Sequence, residues 1–309
     1  MSPDPIDPAR PETGADSPSM ARIRAGHEAV RRANRQELVE DYVEAIDDLI
    51  EDRGEARVRD LAAGFGISHV AVCSVVERLR RDGLVSSGQQ EAIRLTDEGR
   101  AIAQRSRSRH AAVLEFLLAL GLPAEVAEAD AEGMEHHVGP DSLAAFDRFV
   151  AASSREGRVD PAAASPGPLA GDAASRFARV RAAHASELTE DYVEAIDDMV
   201  RERGEARVGW LAERFGVAQV TVTRVVARLR RSGHVVSPPR RPLQLSTEGQ
   251  ALAARSRERH QVVLRFLLFL GVPDGAAEID AEGVEHHVSR RTLERFAELS
   301  GPEDTRKAP

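Results

Sequence analysis

Acidic residues and histidines recur along the chain at spacings that could bind a metal ion. Glu132, Glu135 and His136 are three and four residues apart, so on a helix all three side chains lie on one face. Asp41 and Glu44 share a face of another predicted helix in the same way. Like-charged neighbours of this kind destabilise a helix unless a cation lies between them. Carboxylate oxygens combined with one or two imidazoles suit Mn²⁺ or Fe²⁺.

Each of these patterns also has an ordinary structural explanation. Asp41 and Glu44 alone are typical of a solvated helix face, and a single histidine such as His110 is more often packed or exposed than bound to a metal. His137 follows His136 but points about 100° further round a helix, so we expect it beside the site or on the surface. The metal interpretation gains weight because the whole set occurs twice. The second set is Asp191, Glu194, His260, Glu282, Glu285 and His286.

The chain of 309 residues is a tandem repeat, and matching segments are offset by 150 positions (187 against 37). ELVEDYVEAIDDLI at 37–50 returns as ELTEDYVEAIDDMV at 187–200, and DAEGMEHHV at 130–138 returns as DAEGVEHHV at 280–288. About 60 of 104 aligned positions are identical. Between the copies, residues 151–175 are rich in Ala, Ser, Pro and Gly and lack apolar periodicity, which predicts a flexible linker.

Composition limits the classes of protein that the sequence can encode. A hydrophobic fraction of 42% with 30% charged residues is typical of a globular protein of two or more domains. No apolar run reaches the roughly 18 residues of a membrane helix, and no secretory signal is visible, so we expect a cytoplasmic protein. The single cysteine, Cys73, allows neither a disulfide framework nor a cysteine-based zinc site. The net charge of -9 argues weakly against nucleic-acid binding, although a whole-chain sum can hide a basic face.

The first half of each copy predicts three helices followed by a β-hairpin. In the first copy, a leading helix precedes a pair of helices within 58–83, with a turn at Gly66 and a cap at Ser68. Short strands at Leu84–Ser86 and Ala92–Leu95 flank the polar tip SGQQE. This order is that of a winged helix-turn-helix, which binds DNA, and a small helical bundle with a hairpin is the alternative.

Arginines on the second helix of the pair and on the hairpin favour DNA binding, because Arg neutralises phosphates and binds guanine edges bidentately. Residues 51–95 carry 7 basic against 7 acidic side chains, net 0, whereas residues 201–245 carry 10 against 3, net +7. The second copy should therefore supply most of the attraction to phosphates. The candidate DNA contacts are Ser68, His69, Ser74 and Arg78 in the first copy, and Gln219, Thr221, Arg224, Arg228, Arg240 and Arg241 in the second.

The second half of each copy predicts further helices with apolar faces. Thr96 caps a long helix over 97–120, Pro123 starts the next helix, and Asp141 or Ser142 caps the last one. The runs VLEFLLAL and VVLRFLLFL are too apolar to be solvated singly, so this half should bury a core and could dimerise. An enzyme built on the acids and histidines is the alternative class. Against it, no glycine-rich phosphate loop, nucleophile elbow or H-E-x-x-H zinc pair is found in the sequence.

Taken together, these residues resemble the diphtheria-toxin-repressor family of metal-dependent regulators, and within it the manganese-responsive members. The resemblance rests on ELVEDYVEAIDDLI, GEARV, the helix-turn-helix, SRSRHAAVLEFLLALG and DAEGMEHHV, which span nearly all of each copy. It implies that metal binding orders a helical dimer whose two winged helices fit palindromic DNA. By the same resemblance, the metal ligands are Asp41, Glu44, His110, Glu132, Glu135 and His136, their six counterparts in the second copy, and the backbone carbonyl of Gly133 or Gly283.

The resemblance also bears on the choice of metal. Iron-responsive relatives carry a softer Met and Cys where Asp41 and Glu132 stand, and hard oxygen ligands at both places favour Mn²⁺. The four carboxylates and two imidazoles resemble a paired-metal site whose four negative charges match two divalent cations. We therefore expect a manganese-responsive regulator, a repressor of metal-homeostasis genes, with up to two Mn²⁺ ions per copy. An iron-dependent repressor is the alternative, with Fe²⁺ as its ion.

The expected architecture is mainly α, with two copies of a winged helix-turn-helix domain followed by a helical metal-binding and dimerisation domain, joined by a flexible linker. Ordinary family members are single-copy homodimers, so the duplication departs from the family. We expect the copies to pair within one chain as a covalent pseudo-dimer, with a homodimer as the alternative, on double-stranded DNA carrying an imperfect palindrome. The expected divisions are 1–25 (disordered tail), 26–96 (winged helix), 97–150 (helical domain), 151–175 (linker), 176–246 (winged helix), 247–300 (helical domain) and 301–309 (tail).

Overall fold

A computed structural model describes residues 18–86, 92–155, 173–238 and 240–301, and within them the chain is mainly α-helical, as the sequence predicts. The first repeat contains α1 (Pro18–Arg53), α2 (Val58–Phe65), α3 (His69–Arg81), β1 (Val85–Ser86), β2 (Arg94–Leu95), α4 (Asp97–Ala119), α5 (Ala124–Met134) and α6 (Pro140–Arg155). The second repeat contains α7 (Ala173–Arg203), α8 (Val208–Phe215), α9 (Gln219–Arg231), α10 (Thr247–Phe269), α11 (Asp274–Val284) and α12 (Arg290–Ser300).

Each winged helix is built around the apolar face of its first helix. In the first repeat, Tyr42 and Ile46 of α1 are fully buried in one cluster with side chains of α2 and α3. Gly66 adopts a φ of 63° between α2 and α3, a left-handed conformation that glycine takes without strain. Ser68 caps α3 because its hydroxyl oxygen accepts a hydrogen bond from the Ala71 backbone N–H at 3.3 Å. The predicted turn and cap are therefore present.

The hairpin that forms the wing is short in both repeats. In the first, β1 pairs antiparallel with β2, with Val85 opposite Leu95, so the strands are shorter than the predicted Leu84–Ser86 and Ala92–Leu95. The tip SGQQE lies outside the described residues. In the second repeat, the corresponding pairing is a single antiparallel bridge between Val235 and Leu245.

The helical halves of the two repeats share one hydrophobic core. Phe116 stacks on Phe146 in the first repeat and Phe266 stacks on Phe296 in the second, each with ring centroids 3.9 Å apart. Phe116 and Phe266 lie 6.1 Å apart across the boundary between the repeats. The sharing explains why both copies of the long helix end in such an apolar run, since each run is covered by the other repeat as well as its own.

Hydrogen bonds across this boundary are reciprocal. Asp130 of α5 accepts from the Ser289 backbone N–H at 3.0 Å and from the Thr292 hydroxyl at 2.5 Å, at the start of α12. Asp280 of α11 accepts from the Ser142 hydroxyl of α6 at 2.6 Å. Each buried carboxylate thus satisfies polar groups at the first turn of a helix in the other repeat, as a capping residue does within one helix.

Two histidines meet at the closest approach of the repeats. The rings of His137 and His287 stack with centroids 4.5 Å apart. His287 lies directly on Gly133, and His137 lies directly on Gly283, so closely that a Cβ at either glycine would overlap the opposite ring. His137 is buried at this boundary, whereas the sequence placed it beside the site or on the surface.

Helix boundaries differ from the predicted ones at several places. α1 begins within residues 1–25, the predicted tail. α6 begins at Pro140, ahead of the predicted caps Asp141 and Ser142, because the fixed φ of proline suits the first position of a helix. The predicted linker 151–175 is helical at both ends, where α6 finishes and α7 starts, and its middle lies outside the described residues.

Within the described part of the chain, no single helix is long and apolar enough to cross a membrane. Only α2 and α3 taken together, which are bent by 116° at their junction, pass that test of length and composition.

Candidate functional site

In the first repeat, the candidate acids and histidines come together, buried or half-buried, where α1, α4 and the end of α5 meet. The six candidate ligands are Asp41, Glu44, His110, Glu132, Glu135 and His136. Glu135 lies between the two imidazoles, with Oε2 2.9 Å from His110 Nδ1 and Oε1 3.1 Å from His136 Nε2. His136 Nε2 lies 3.8 Å from Asp41 Oδ1, and His110 Nδ1 lies 4.0 Å from Glu132 Oε2. Residues almost 100 positions apart in sequence therefore form one cluster.

The second repeat forms the same cluster from α7, α10 and the end of α11. Glu285 again lies between two imidazoles, 2.7 Å from His260 Nδ1 and 3.4 Å from His286 Nε2. His286 Nε2 lies 3.2 Å from Asp191 Oδ1, and His260 Nδ1 lies 3.8 Å from Glu282 Oε2. The two clusters match atom for atom in the pairs that face each other.

The local backbone differs from the prediction in one respect. α5 ends at Met134, so Glu135 is the C-cap residue and His136 lies in the following turn, not on a continuing helix. Glu135 keeps helical backbone angles, with φ -56° and ψ -31°. Glu132 and Glu135 therefore lie on one helix face, as the spacing predicts, and the turn brings the His136 ring to the same cluster.

Burial and mutual repulsion perturb the acids of the cluster. Burial, reinforced by the charge of Glu135, raises the pKa of Glu44 to about 7. Burial also raises the pKa of Asp41 well above its usual value. Burial alone would lower the pKa of His110, but its contact with Glu135 raises it to about 9. The corresponding residues of the second repeat have the same values, about 7 and about 9, at Glu194 and His260.

The donor set fits a divalent metal ion. Glu44 Oε1 is buried and accepts no hydrogen bond from the described residues. A buried carboxylate in that state is costly unless a proton or a cation compensates it. Four carboxylates and two imidazoles, with no sulfur donor in the cluster, are the ligand types that suit Mn²⁺ and Fe²⁺. The residue types present therefore suit such an ion, although among the described residues no three of these side chains are already arranged to hold one.

Sequence reasoning missed two further acids beside the cluster. Glu40 Oε2 lies 2.8 Å from His136 Nδ1 and accepts a hydrogen bond from Arg109. Burial alone would raise the pKa of Glu40, but these two partners lower it to about 2. Glu128 Oε1 lies 3.4 Å from His110 Nε2. Helical spacing offered a signal for both, because each lies four residues before a candidate ligand.

The predicted DNA contacts lie on α3, on α9 and on the second wing. Arg78 and Arg228 are half-buried. The Nη2 atom of each is buried and has no hydrogen-bond partner among the described residues. The other eight are exposed: Ser68, His69, Ser74, Gln219, Thr221, Arg224, Arg240 and Arg241. The N-terminal residues of a recognition helix are those that contact base edges, so the exposure of these positions at the start of α3 and α9 suits that role.

The two wings and recognition helices differ in how their arginines are used. Arg80 on α3 pairs with Glu77 at 2.9 Å, which offsets its charge. The second repeat has no acid at the matching position, and Arg230 on α9 donates instead to the Ser237 carbonyl at 2.8 Å, bracing the wing. The exposed charges of Arg240 and Arg241 then remain available at the tip of the second wing.

A winged helix attached to a helical domain that gathers acids and histidines defines a class of protein, the metal-responsive DNA-binding transcriptional regulators. Comparison with known families agrees. The family described as "Iron dependent repressor, metal binding and dimerisation domain" matches residues 96–162 and 246–305. The family described as "Iron dependent repressor, N-terminal DNA binding domain" matches residues 184–243.

Individual relatives match over about the length of one repeat. "Transcriptional regulator MntR" of Escherichia coli O6:H1 is 52% identical over 120 residues, which are 39% of this chain and 77% of that protein. The protein of the same name from Salmonella typhimurium is 51% identical over 120 residues, which are 39% of this chain and 76% of that protein. "HTH-type transcriptional regulator MntR" of Bacillus subtilis is 34% identical over 110 residues, which are 36% of this chain and 78% of that protein. The chain belongs to the diphtheria-toxin-repressor family of metal-dependent transcriptional regulators.

Proposed function

We propose that this regulator responds to Mn²⁺ and represses genes of metal-ion homeostasis. The observation that carries the proposal is the convergence, in both repeats, of four acids and two histidines without a sulfur donor. Hard oxygen donors at Asp41 and Glu132 favour Mn²⁺ over softer ions. The similarity to relatives named MntR supports the same conclusion.

The proposed ligands in each repeat are the six side chains of its cluster, together with the backbone carbonyl of Gly133 or Gly283. Divalent cations bound there supply positive charge that offsets up to four carboxylates. The acids of the cluster can then ionise together. In the metal-free chain, burial and mutual repulsion raise the pKa values of Asp41 and Glu44 and so keep these acids protonated to higher pH. The two histidines contribute neutral nitrogen donors once they have lost their protons.

The position of α1 explains how the cluster acts on the winged helix. Along α1, Asp41 and Glu44 belong to the cluster, whereas Tyr42 and Ile46 belong to the core of the winged helix. About one turn after Glu44, Arg107 of α4 donates hydrogen bonds to Asp47 and Asp48 of α1 at 2.7 and 2.6 Å. Loss of repulsion within the cluster would add a second attachment of α1 to α4 at the adjoining turn. The recognition helix α3 is then held at one orientation relative to the shared core.

We propose that the two repeats pair within one chain and act as a pseudo-dimer. The shared core, the reciprocal caps by Asp130 and Asp280, and the stacked pair His137 and His287 support this pairing. Because residues 51–95 and 201–245 carry net charges of 0 and +7, and because α3 and α9 carry different residues, the preferred operator is an imperfect palindrome. Its half-sites lie about one helical turn, or a multiple of one turn, apart.

The proposal is tested by binding to duplex DNA with and without metal. Purified full-length chain is incubated with a pool of random duplexes in Mn²⁺, and the selected sequence is titrated in a gel-shift assay. We expect binding that requires Mn²⁺ and is lost in EDTA. Equal affinity in EDTA contradicts the proposal.

Iron-dependent repression is the second candidate, because both matching families are described as iron dependent repressors. The two candidates are separated by making the first cluster softer with Asp41→Met and Glu132→Cys. We expect these changes to move the response of the first repeat toward Fe²⁺ or Zn²⁺. The matched control makes Asp191→Met and Glu282→Cys in the second repeat. An unchanged metal profile in both variants contradicts the assigned ligands.

A further inference from the structure

Each cluster is accompanied by a buried carboxylate that the proposed ligand set does not use. Glu40 precedes Asp41 on α1, and Glu190 precedes Asp191 on α7. Both are buried, Glu40 with 3% and Glu190 with 7% of its surface exposed. A buried charge of this kind requires partners, and the partners show what the carboxylate does.

Both carboxylate oxygens of Glu40 contact nitrogen atoms of other side chains. Oε1 accepts from Gln36 Nε2 at 2.7 Å. Oε2 accepts from Arg109 Nη2 at 2.5 Å and lies 2.8 Å from His136 Nδ1. Both oxygens are therefore engaged, and neither is directed at the acids of the cluster. Glu40 is a partner of a candidate ligand and not a ligand itself.

The second repeat repeats the arrangement with one different donor. Glu190 Oε2 accepts from Arg259 at 2.5 Å and lies 2.8 Å from His286 Nδ1. Its Oε1 accepts from the Ser186 hydroxyl at 3.0 Å, where the first repeat uses a glutamine amide. The arginine, the carboxylate and the imidazole thus recur in both repeats, while the fourth group varies.

The arrangement decides which nitrogen of the imidazole can bind a metal. An ionised carboxylate only accepts hydrogen bonds, so the contact between Glu40 and His136 places a proton on Nδ1. The free lone pair of the neutral ring is then on Nε2, the atom that lies 3.1 Å from Glu135 and 3.8 Å from Asp41. The ring cannot turn over without losing its contact with Glu40.

We propose that Glu40 and Glu190, held by Arg109 and Arg259, are positioning residues that fix the tautomer and orientation of His136 and His286 for metal binding. The proposal rests on the metal centres proposed above. Histidine ligands commonly donate their second ring N–H to a carboxylate, and loss of that carboxylate weakens metal binding by about 10–100-fold. The same contacts join α4, α1 and the end of α5, so the positioning group lies at the meeting point of all three segments.

The test measures Mn²⁺ affinity directly, without DNA, from the electron paramagnetic resonance signal of free Mn²⁺. We expect the Glu40→Ala, Glu190→Ala double variant to bind Mn²⁺ about 10–100-fold more weakly than the parent chain. The Glu40→Gln, Glu190→Gln double variant should recover most of the affinity, because an amide oxygen still accepts from Nδ1–H. The Co²⁺ absorption spectrum should be altered in the alanine variant and close to the parent in the glutamine variant.

The matched control is the Asp52→Asn, Glu202→Gln double variant, which removes two exposed acids from the same helices; it should bind Mn²⁺ as the parent does. Where the alanine variant loses helix content, Glu40→Asp with Glu190→Asp replaces it, because aspartate keeps the charge but withdraws the oxygens from Nδ1 by one methylene. That pair should bind Mn²⁺ at least about tenfold more weakly.

Parental affinity in the alanine or aspartate variant, or equal losses in the alanine and glutamine variants, overturns the positioning role. DNA binding by the parent chain is measured in the same buffers. If that binding is independent of Mn²⁺, the proposed function fails while the metal affinities still decide the role of Glu40 and Glu190.

Discussion

The helical halves and the winged halves of the two repeats differ in how closely they match. In the helical halves, the cluster distances agree to within about 1 Å. In the winged halves, the net charge changes from 0 over residues 51–95 to +7 over residues 201–245, and SHVAVCS at the first recognition helix corresponds to AQVTVTR at the second. The helical halves pack against each other in one core, so a change in one is felt by both. The winged halves have separate cores, although α1 contacts α8 and α2 contacts α7 between them, so their surfaces can differ without a change in a shared core.

The largest expected effect comes from removing the acid between the two imidazoles. Glu135→Gln with Glu285→Gln should weaken Mn²⁺ binding by at least about 100-fold, because each side chain contacts both histidines of its cluster. Calorimetry measures the loss. Either single variant should retain about half of the bound Mn²⁺, and unequal loss between them would show that the clusters are not equivalent. Asp141→Asn, an exposed acid, is the control.

The contact between repeats is tested next by adding a methyl group at its closest point. Gly133→Ala or Gly283→Ala places a Cβ on the opposite histidine ring and should destabilise the folded chain by about 1–3 kcal/mol. Urea unfolding followed by circular dichroism measures the change. Gly275→Ala on α11 has open space around the new Cβ and should be neutral or slightly stabilising. Equal midpoints for Gly133→Ala and Gly275→Ala would contradict the described packing.

The difference between the wings is tested by the salt dependence of DNA binding. Arg240→Gln with Arg241→Gln should lower the slope of log affinity against log salt by up to about two, because each exposed arginine can neutralise one phosphate. Changing Gln90 and Glu91 in the first wing, which lie outside the described residues, should alter the slope less. A larger effect from the first wing would reverse the proposed asymmetry.

The smallest expected effect is the release of protons when Mn²⁺ binds. In the metal-free chain the pKa of Glu44 is about 7 and that of His110 about 9, so at pH 6 both hold a proton for most of the time. A metal ligand must be deprotonated, so Mn²⁺ binding at pH 6 should release at least about two protons per repeat, those of Glu44 and His110 among them, and binding should tighten as the pH rises. An indicator dye in weak buffer measures the release. No release between pH 6 and pH 7 would place these groups outside the metal centre.

Local features of the fold could be predicted from the sequence, whereas contacts between distant segments could not. The turn at Gly66 and the caps at Ser68 and Thr96 depend on neighbouring residues only, and all three are present. The acids and histidines of each cluster follow helical spacing, and their occurrence twice in one chain marked them. The burial of His137 depends on the other repeat, so its own position in the helix pattern gives no signal for it.

The partners of the candidate ligands were harder to predict than the ligands. Glu40 lies four residues before Glu44, but this spacing is shared by many solvated acids, and only the approach of Arg109 on α4 and of His136 in the turn after α5 identifies Glu40 as a partner of the cluster. The start of α6 was misplaced for a similar reason. Two good capping residues, Asp141 and Ser142, follow Pro140, but Ser142 donates instead to Asp280 of the other repeat.

The central claim is that one chain forms the complete Mn²⁺-dependent DNA-binding unit, with its two repeats as unequal halves. The most direct measurement is the mass of the complex between the full-length chain and its selected duplex, by light scattering in Mn²⁺ and in EDTA, together with a footprint of both strands. We expect one chain per duplex in Mn²⁺, an asymmetric footprint and no complex in EDTA. An obligate two-chain complex with a symmetric footprint would contradict the account.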